Sequence, residues 1–317
     1  MGTWPYRDLN SHLRERFGTR VQKVTLDAGL TCPNRDGRVG VGGCLYCNAR
    51  GSGTGAWNRG QTITAQLEEG RARLGRRYGA SRFIAYFQSF CNTYAPVDTL
   101  RALYQEALAF PEMVGLSIGT RPDCLSPEIL DLLAALARER LLWLELGLQS
   151  AHDETLKRIN RGHDVACFTQ AAEAAAARGL EVVAHVILGL PGEGPAEMMA
   201  TARYLAGLPL QGVKIHLLYV VRGSGLEEMY RAGSYRPLEA EEYVGLVADF
   251  LELLPPHLII HRLTGDPHRE ELAVPIWSLN KSEVLTGIRE ELARRKSRQG
   301  RAWEERGGEG RKKVNLA

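Results

Sequence analysis

The sequence predicts an α/β protein organised as a complete or partial (β/α) barrel. Two observations carry that expectation. Short β-rich runs alternate along the chain with helical stretches of ten or more residues, the signature of repeated βα units on a parallel sheet. Polar residues also recur with one parity inside otherwise apolar strands, as expected where helices cover the outer face and the inner face lines a lumen. Six or seven strands suit a barrel better than an open doubly wound sheet.

In chain order, strands are expected at "VQKVTLDA" from Val21, "RFIAYFQ" from Arg82, "VGLSIG" from Val114, "LLWLELGLQ" from Leu141, "EVVAHVILG" from Glu181, "VKIHLLYVV" from Val213 and "HLIIHRLTG" from His257. Each is rich in branched and aromatic residues, which fit a pleated surface. Between them, "TITAQLEEGRARLGRRY", "VDTLRALYQEALAF", "SPEILDLLAALARER", "DVACFTQAAEAAAARGL" and "GPAEMMATARYLAGL" carry helical periodicity. Pro127 and Pro195 stand where two of these helices begin, a position that needs no backbone N–H. The expected organisation is an N-terminal extension over 1–20, a core barrel over 21–258 and a C-terminal extension over 259–317 that ends in a basic, flexible tail.

Composition narrows the class. Of 317 residues, 44% are hydrophobic and 24% charged, an ordinary globular balance. No apolar run approaches the roughly 18 residues of a membrane span, and the start lacks the basic and apolar regions of a signal peptide. A reducing cytoplasm is therefore expected, and the six cysteines are not expected to form disulfides. A net charge of +3 does not by itself imply nucleic acid. From Arg289 to Ala317, however, ten Lys or Arg face five Glu. That stretch reads either as a solvated, frayed tail or as an arm for phosphate backbones with Trp303 as a stacking residue.

"TCPNRDGRVGVGGCLYCN" places Cys32, Cys44 and Cys47 directly after the first strand, on the rim where parallel α/β folds build their sites. Eight glycines between Gly37 and Gly60 let this loop fold closely around a bound group. Soft thiolates select zinc, copper or iron–sulfur clusters. A structural zinc site wants four ligands, usually in two close pairs. Three cysteines can instead hold three irons of a [4Fe-4S] cluster and leave the fourth open to a small molecule. The thiols alone leave zinc and cluster both open.

The loop resembles the cluster-binding segment of the radical S-adenosylmethionine (SAM) superfamily. It departs from the common spacing by placing eleven residues between Cys32 and Cys44. The longer pattern "DAGLTCPNRDG" then "GGCLYCN" is similar to a subfamily in the group of the Elongator catalytic subunit and the oxygen-independent coproporphyrinogen oxidases. "YFQSFCNTYAP", "SIGTRPDCL", "LGLQSAHDETLKRINRGHD", "HVILGLPGE" and "RLTGDP" continue that pattern, so the resemblance spans Asn10 to Pro267. It implies a partial (β/α)6 TIM-like barrel of the radical SAM type. It implies a [4Fe-4S] cluster on Cys32, Cys44 and Cys47, and SAM cleaved reductively to methionine and a 5′-deoxyadenosyl radical.

By the same resemblance, Tyr46 contacts adenine, and Gln88 and Ser89 stand where the SAM amino group is received, although "FQSF" is not glycine-rich. Gln149 is a SAM-contacting glutamine, and Arg161, or Arg158 in its place, holds the SAM carboxylate. Gly189, followed by Pro191 and Gly192, either lets backbone approach the adenosine or simply turns the chain. The resemblance further implies a tRNA substrate, with carboxymethylaminomethyl trimmed to aminomethyl at wobble uridine, and an electron donor such as flavodoxin or ferredoxin. Radical chemistry on a small metabolite or a tetrapyrrole is the alternative within enzymes. A non-catalytic, zinc-stabilised RNA-binding protein is the alternative outside them.

Strand parity gives a partly independent reading of the lumen. Tyr86 with Gln88, Glu145 with Gln149, and Lys214 with His216 each share a strand face, while His185 and His261 interrupt apolar strands. A lone strand histidine is more often a satisfied core residue, but several strands carrying such groups together favour a lined cavity. His185, His216 and Cys124, the last as a hydrogen donor at a strand end, are the candidate catalytic residues. Cys91, Cys124 and Cys167 each read first as small buried hydrophobes, the donor role being the alternative for Cys124. The insert "PNRDGRVGVGG" is expected to close over the cluster or meet substrate through Arg35, Asp36 and Arg38.

Overall fold

The computed structural model describes residues 4–48, 51 and 55–307. Its element order is α1 (Leu9–Phe17), β1 (Val21–Leu26), α2 (Ile63–Tyr78), β2 (Arg82–Phe87), α3 (Val97–Leu108), β3 (Met113–Thr120), α4 (Pro127–Ala137) and β4 (Leu141–Gln149). Then follow α5 (Asp153–Arg158), α6 (Val165–Ala176), β5 (Glu181–Leu188), α7 (Pro195–Ala206), β6 (Gly212–Leu217), β7 (Val220–Val221) and α8 (Gly225–Arg231). The chain ends with α9 (Ala240–Leu253), β8 (Ile259–Arg262), β9 (Leu272–Val274), α10 (Lys281–Arg294) and α11 (Arg301–Glu305). Local sequence chemistry sets several of the helix starts. The side chains of Asp8, Thr62, Ser126, Asp164 and Ser224 each accept a hydrogen bond from a backbone N–H in the first turn that follows. Pro127 and Pro195 open α4 and α7.

Seven strands form one parallel sheet in the order β1-β2-β3-β4-β5-β6-β8, and its two edges do not pair with each other. The sheet is a curled, partial barrel, as expected, and the seventh expected run supplies a strand beyond the six of the (β/α)6 barrel that the resemblance implies. That last strand lies past residue 258, where the C-terminal extension was expected to begin. The predicted run "VKIHLLYVV" does not remain one strand. It divides at Leu218 and Tyr219, and β7 leaves the barrel to pair antiparallel with β9.

Two apolar layers hold the sheet. On its outer face Val24, Leu26, Phe87, Ile118, Leu144, Leu146, Val186 and Ile215 pack under the surrounding helices in the main core. At the lower end of the lumen, Val21, Ile84, Val114, Leu141, Trp143 and Val183 gather around Leu13 of α1, which is 2% exposed. The N-terminal segment is thus a floor for the barrel. Asp8 forms a bridge with Ile260, and Ile260 N–H donates to Arg7 O at 2.8 Å. Buried Gln299 ties the same segment to the far end of the chain. It accepts from Arg7 N–H at 2.9 Å and donates to Pro255 O and Leu258 O at 2.7 and 2.9 Å.

That contact also corrects the expectation of a flexible basic tail. Residues up to 307 are folded, with α10 and α11 packed against α9. Arg294, Arg295, Arg298 and Arg301 are each paired with carboxylates of this chain, and Trp303 lies half-buried in α11. The rest of the tail, 308–317, lies outside the described residues.

If Leu13 seals the lumen floor, Leu13→Ala should cost about 3 kcal/mol, the usual range for a buried leucine that leaves a cavity. Urea unfolding checks this; a loss below about 1 kcal/mol would show that α1 is an ornament on the barrel rather than its floor.

Candidate functional site

Above the apolar floor the lumen becomes polar within one residue pair. The next inward positions are Lys23 on β1, Tyr86 on β2, Ser117 on β3, Glu145 on β4, His185 on β5 and Lys214 on β6, as the strand register requires. Glu145, 1% exposed, is their common acceptor. Lys23 Nζ lies 2.5 Å from its Oε1, and His185 Nε2 and Lys214 Nζ lie 2.6 and 2.9 Å from its Oε2. Ser117 also donates to it. Lys214 Nζ donates a further bond of 2.7 Å to Tyr86 Oη and sits 4.4 Å from the centre of that ring. Lys23 Nζ lies over Tyr86 and Trp143, 5.0 and 4.8 Å from the ring centres.

Burial acts on every member of this group. It pushes the Glu145 carboxyl up, but Lys214, Lys23 and the His185 hydrogen bond outweigh it and hold the group well below the ordinary carboxylate range. Burial pulls Lys214 down to about 7 despite Glu145, with Arg262 adding to the pull. It likewise lowers His185 to about 4, helped by Lys214. His216 is held well below its ordinary value by burial and by Arg262. His185 is therefore a neutral ring whose Nε2 carries the proton given to Glu145.

The rim is built by the long cysteine loop. Its insert folds on itself, with Val39 N–H bonded to Pro33 O at 2.8 Å, Gly43 N–H to Asn34 O at 2.8 Å, and a bridge between Asp36 and Val41. It is fastened to the turn after α5. Asn34 Nδ2 donates to Asn160 O at 2.6 Å, Asn160 Nδ2 returns to Gly43 O at 2.8 Å, and Leu45 N–H reaches Ile159 O at 2.9 Å. Arg121 braces that turn from β3, bonding Arg161 O at 2.8 Å while a two-pronged pair with Asp123, both bonds 2.8 Å, fixes its own position.

This frame brings Cys32, Cys44, Cys47, Tyr46, Gln88, Gln149, Arg161, His185 and His216 onto one cavity, together with Glu145 and Lys214. The Cys47 thiol stands beside Cys44. Their mutual influence, with Arg161 nearby, holds Cys44 well below an ordinary thiol and Cys47 well above it. Arg161 Nη1 is 3.6 Å from Cys44 Sγ, and its Nη2 donates to Gly147 O at 2.7 Å. Residue 147 must be glycine for this approach, because a Cβ there would stand 2.6 Å from Arg161 Nη2. Gln149 follows a register irregularity in β4 and has φ 79°.

Other predicted residues lie elsewhere. Cys124 does not line the cavity: its Sγ packs 3.3 Å from Cys91 Sγ, and Cys91 in turn contacts Cys32. Ser89 is buried beside the cavity without lining it. Gly189 is also outside, in a turn at φ 89° whose carbonyl accepts from Tyr235 Oη at 3.0 Å. Arg158 bonds Pro191 O at 2.9 Å, which leaves Arg161 as the rim arginine. Within the insert Arg35 faces the cavity over the Phe90 ring, while Asp36 and Arg38 sit in an exposed turn, Arg38 over Tyr94.

Sequence reading missed Lys23, Arg121 and Arg262. The parity of Val21, Lys23 and Thr25 carried the signal for the first. Period-two reasoning hides Arg262, since a register shift between Val213 and Lys214 pairs Lys214 with Arg262 and brings both His261 and Arg262 to the inner side.

Three free thiols facing one cavity fit an iron–sulfur cluster, where each thiolate binds a separate iron. Among the described residues no three ligand side chains converge as they would around a single metal ion. Comparison with known proteins decides the family. Residues 34–205 match the model of the radical SAM superfamily, and residues 210–294 match the radical SAM C-terminal domain. The chain belongs to the radical SAM superfamily. It is accordingly an enzyme whose cofactors are a [4Fe-4S] cluster and SAM, and the non-catalytic zinc protein is set aside.

Protein YtqA of Bacillus subtilis is 46% identical over 296 residues, covering 93% of this chain and 92% of that protein. A tRNA uridine(34) acetyltransferase of Dehalococcoides mccartyi is 32% identical over 185 residues, 57% of this chain and 39% of that protein. Among solved structures, Elp3 of the archaeon Methanocaldococcus infernus superposes with a TM-score of 0.65 at 18% identity, covering 90% of this chain and 68% of that one. In the described residues of this radical SAM enzyme no helix is long and apolar enough to cross a membrane.

Neutral lumen histidines make stability depend on pH with a definite sign. An unfolded histidine takes up a proton as pH falls through 6.5, whereas His185 stays neutral down to about 4 and His216 and His261 are also held low. Acidification through that window should therefore remove stability, by about 1.4 kcal/mol per pH unit for each such histidine. Melts of cofactor-free protein should show Tm falling from about pH 6.5 to about pH 4.5, with a shallower fall in His216→Gln. A flat Tm across the window would contradict the neutral assignment.

Proposed function

We propose that this radical SAM enzyme modifies the wobble uridine of tRNA, trimming a carboxymethylaminomethyl group to aminomethyl. The observation that carries the tRNA substrate is the 32% identity to a tRNA uridine(34) acetyltransferase over 185 residues. The match covers 39% of that relative, so acetyl transfer itself is not carried over. A lumen lined with cations supports an acidic substituent on the base.

In this reading Cys32, Cys44 and Cys47 hold the cluster, and Cys44, already favoured as thiolate, is steadied by Arg161 and by Asn34 Nδ2 at 3.8 Å. When bound, the cluster supplies one electron to the sulfonium of SAM, which yields methionine and a 5′-deoxyadenosyl radical. Arg161 keeps one donor in reserve: its Nε is buried without a partner among the described residues, suited to the carboxylate of SAM. Tyr46 and Gln149 face the same space and bound the nucleoside side. Gln88 stands between this chamber and the lower lumen.

Beneath, the residues around Glu145 shape the substrate end. Lys214, near 7, can give or take a proton at near-neutral pH, while the rings of His185 and His216 stay neutral there and offer uncharged hydrogen-bonding groups. The apolar floor packed on α1 closes the lower end of the lumen apart from the seam between β1 and β8.

Two measurements test the proposal. Replacing any one of Cys32, Cys44 or Cys47 with alanine should abolish reductive formation of 5′-deoxyadenosine after anaerobic reconstitution with iron and sulfide, and iron content should fall with it. Mass spectrometry of tRNA from cells lacking the gene should show carboxymethylaminomethyluridine accumulating and aminomethyluridine lost. Unchanged wobble nucleosides would remove this substrate and leave the radical SAM chemistry standing.

A further inference from the structure

The cysteine cavity is lined by more cationic than anionic side chains, whereas the seam cavity beside it also carries Asp8 and Asp266. Glu145 is the one carboxylate among the described residues that line the cysteine cavity, and Lys23 and Lys214 are already bonded to it. The other lining arginines are also engaged. Arg121 is paired with Asp123, Arg161 is held by Gly147 O and the Cys44 thiol, and Arg35 donates to Asn48 O. Arg262 differs from all of them. Among the described residues it makes no hydrogen bond and no ion pair, although it is half-buried and close enough to depress both Lys214 and His216. A guanidinium drawn off water beside two ammonium groups is unfavourable unless an anion joins it.

Its location is also particular. The cysteine cavity and a second cavity, running along the seam between β1 and β8, share Tyr86, Gln88, Lys214 and Arg262. The seam cavity is bordered by Val21, Lys23 and Thr25 on one edge and by Ile260 to Thr264 on the other. Arg262 therefore stands where a group arriving through the open side of the barrel meets the chamber facing the cysteines. The irregularity in β8 is what turns it there, in place of the outward direction that strict alternation after His261 would give. A second unsatisfied group lies nearby: His216 Nε2 is buried on the cavity wall without a partner among the described residues.

We infer that Arg262 is the anchor for a substrate carboxylate, gripping both oxygens with its planar fork at the junction of the two cavities, with His216 offering one further polar contact. The substrate class is thus a carboxylate carried on an arm long enough to hang below the SAM chamber. Its identity as the carboxymethylaminomethyl arm rests on the proposed function; the charge requirement does not. A lysine supplies charge without the fork, so it is a partial replacement.

The test uses anaerobically reconstituted holoenzyme with SAM, and two nucleosides as probes in equilibrium dialysis, 5-carboxymethylaminomethyluridine and 5-aminomethyluridine. Wild type should retain the carboxylated nucleoside about tenfold or more tightly, the value of a charge-assisted pair. Arg262→Gln should erase that preference, and Arg262→Lys should recover part of it. Circular dichroism melts of both variants separate a lost contact from a lost fold, and Arg262→Lys carries the test if Arg262→Gln does not fold. A wild-type enzyme that retains the two probes alike, or a folded Arg262→Gln that keeps the preference, overturns the inference. Unchanged tRNA in the deletion strain together with the expected Arg262 behaviour would sink only the tRNA reading. Altered tRNA that Arg262→Gln restores in full would sink only the carboxylate anchor.

Discussion

A single buried carboxylate organises this barrel. Glu145 receives Lys23, Ser117, His185 and Lys214, so side chains from β1, β3, β4, β5 and β6 meet on two oxygen atoms. An apolar set at those positions would pack the lumen shut, as in an ordinary barrel core. The charged set keeps a polar chamber between an apolar floor and a cysteine rim, and its satisfied hydrogen bonds make that chamber tolerable in a dry interior. The price is specificity of position, since each lysine is useful only while Glu145 remains charged and in place.

The rim follows from a different constraint. A loop with eleven residues between its first two cysteines needs anchoring if its thiols are to hold one arrangement. Asn34, Asn160 and Leu45 provide it by tying the insert to the turn after α5, and Arg121 ties that turn to β3. Arg161 leaves the same turn toward Cys44, and Gly147 lets it pass. The long spacing is thus a folded plate whose main contacts are structural, with Arg35 its one side chain on the cavity among the three polar residues singled out from sequence.

Much of this was legible in the chain. All seven sheet strands stand where branched and aromatic runs stood, and Glu145, His185, Lys214 and His216 share the lumen that parity assigned them. Local rules worked there because a curled parallel sheet enforces alternation strictly. They failed where tertiary contacts override alternation. The shift beside Lys214 brings Arg262 inward, and the pairing with β9 cuts the sixth run short. The basic tail misled for another reason: charge counts do not reveal that arginines of α10 and α11 find carboxylates on their own and neighbouring helices.

The central claim, that Glu145 holds the lumen together, is tested most directly by Glu145→Gln in urea-induced unfolding of the cofactor-free protein at neutral pH. Glutamine keeps the shape and removes the charge, leaving Lys23 and Lys214 buried without their partner. The account predicts a loss of about 3 to 5 kcal/mol, the cost of breaking a buried pair from one side. Stability within about 0.5 kcal/mol of wild type, the range of an ordinary surface substitution, would contradict it.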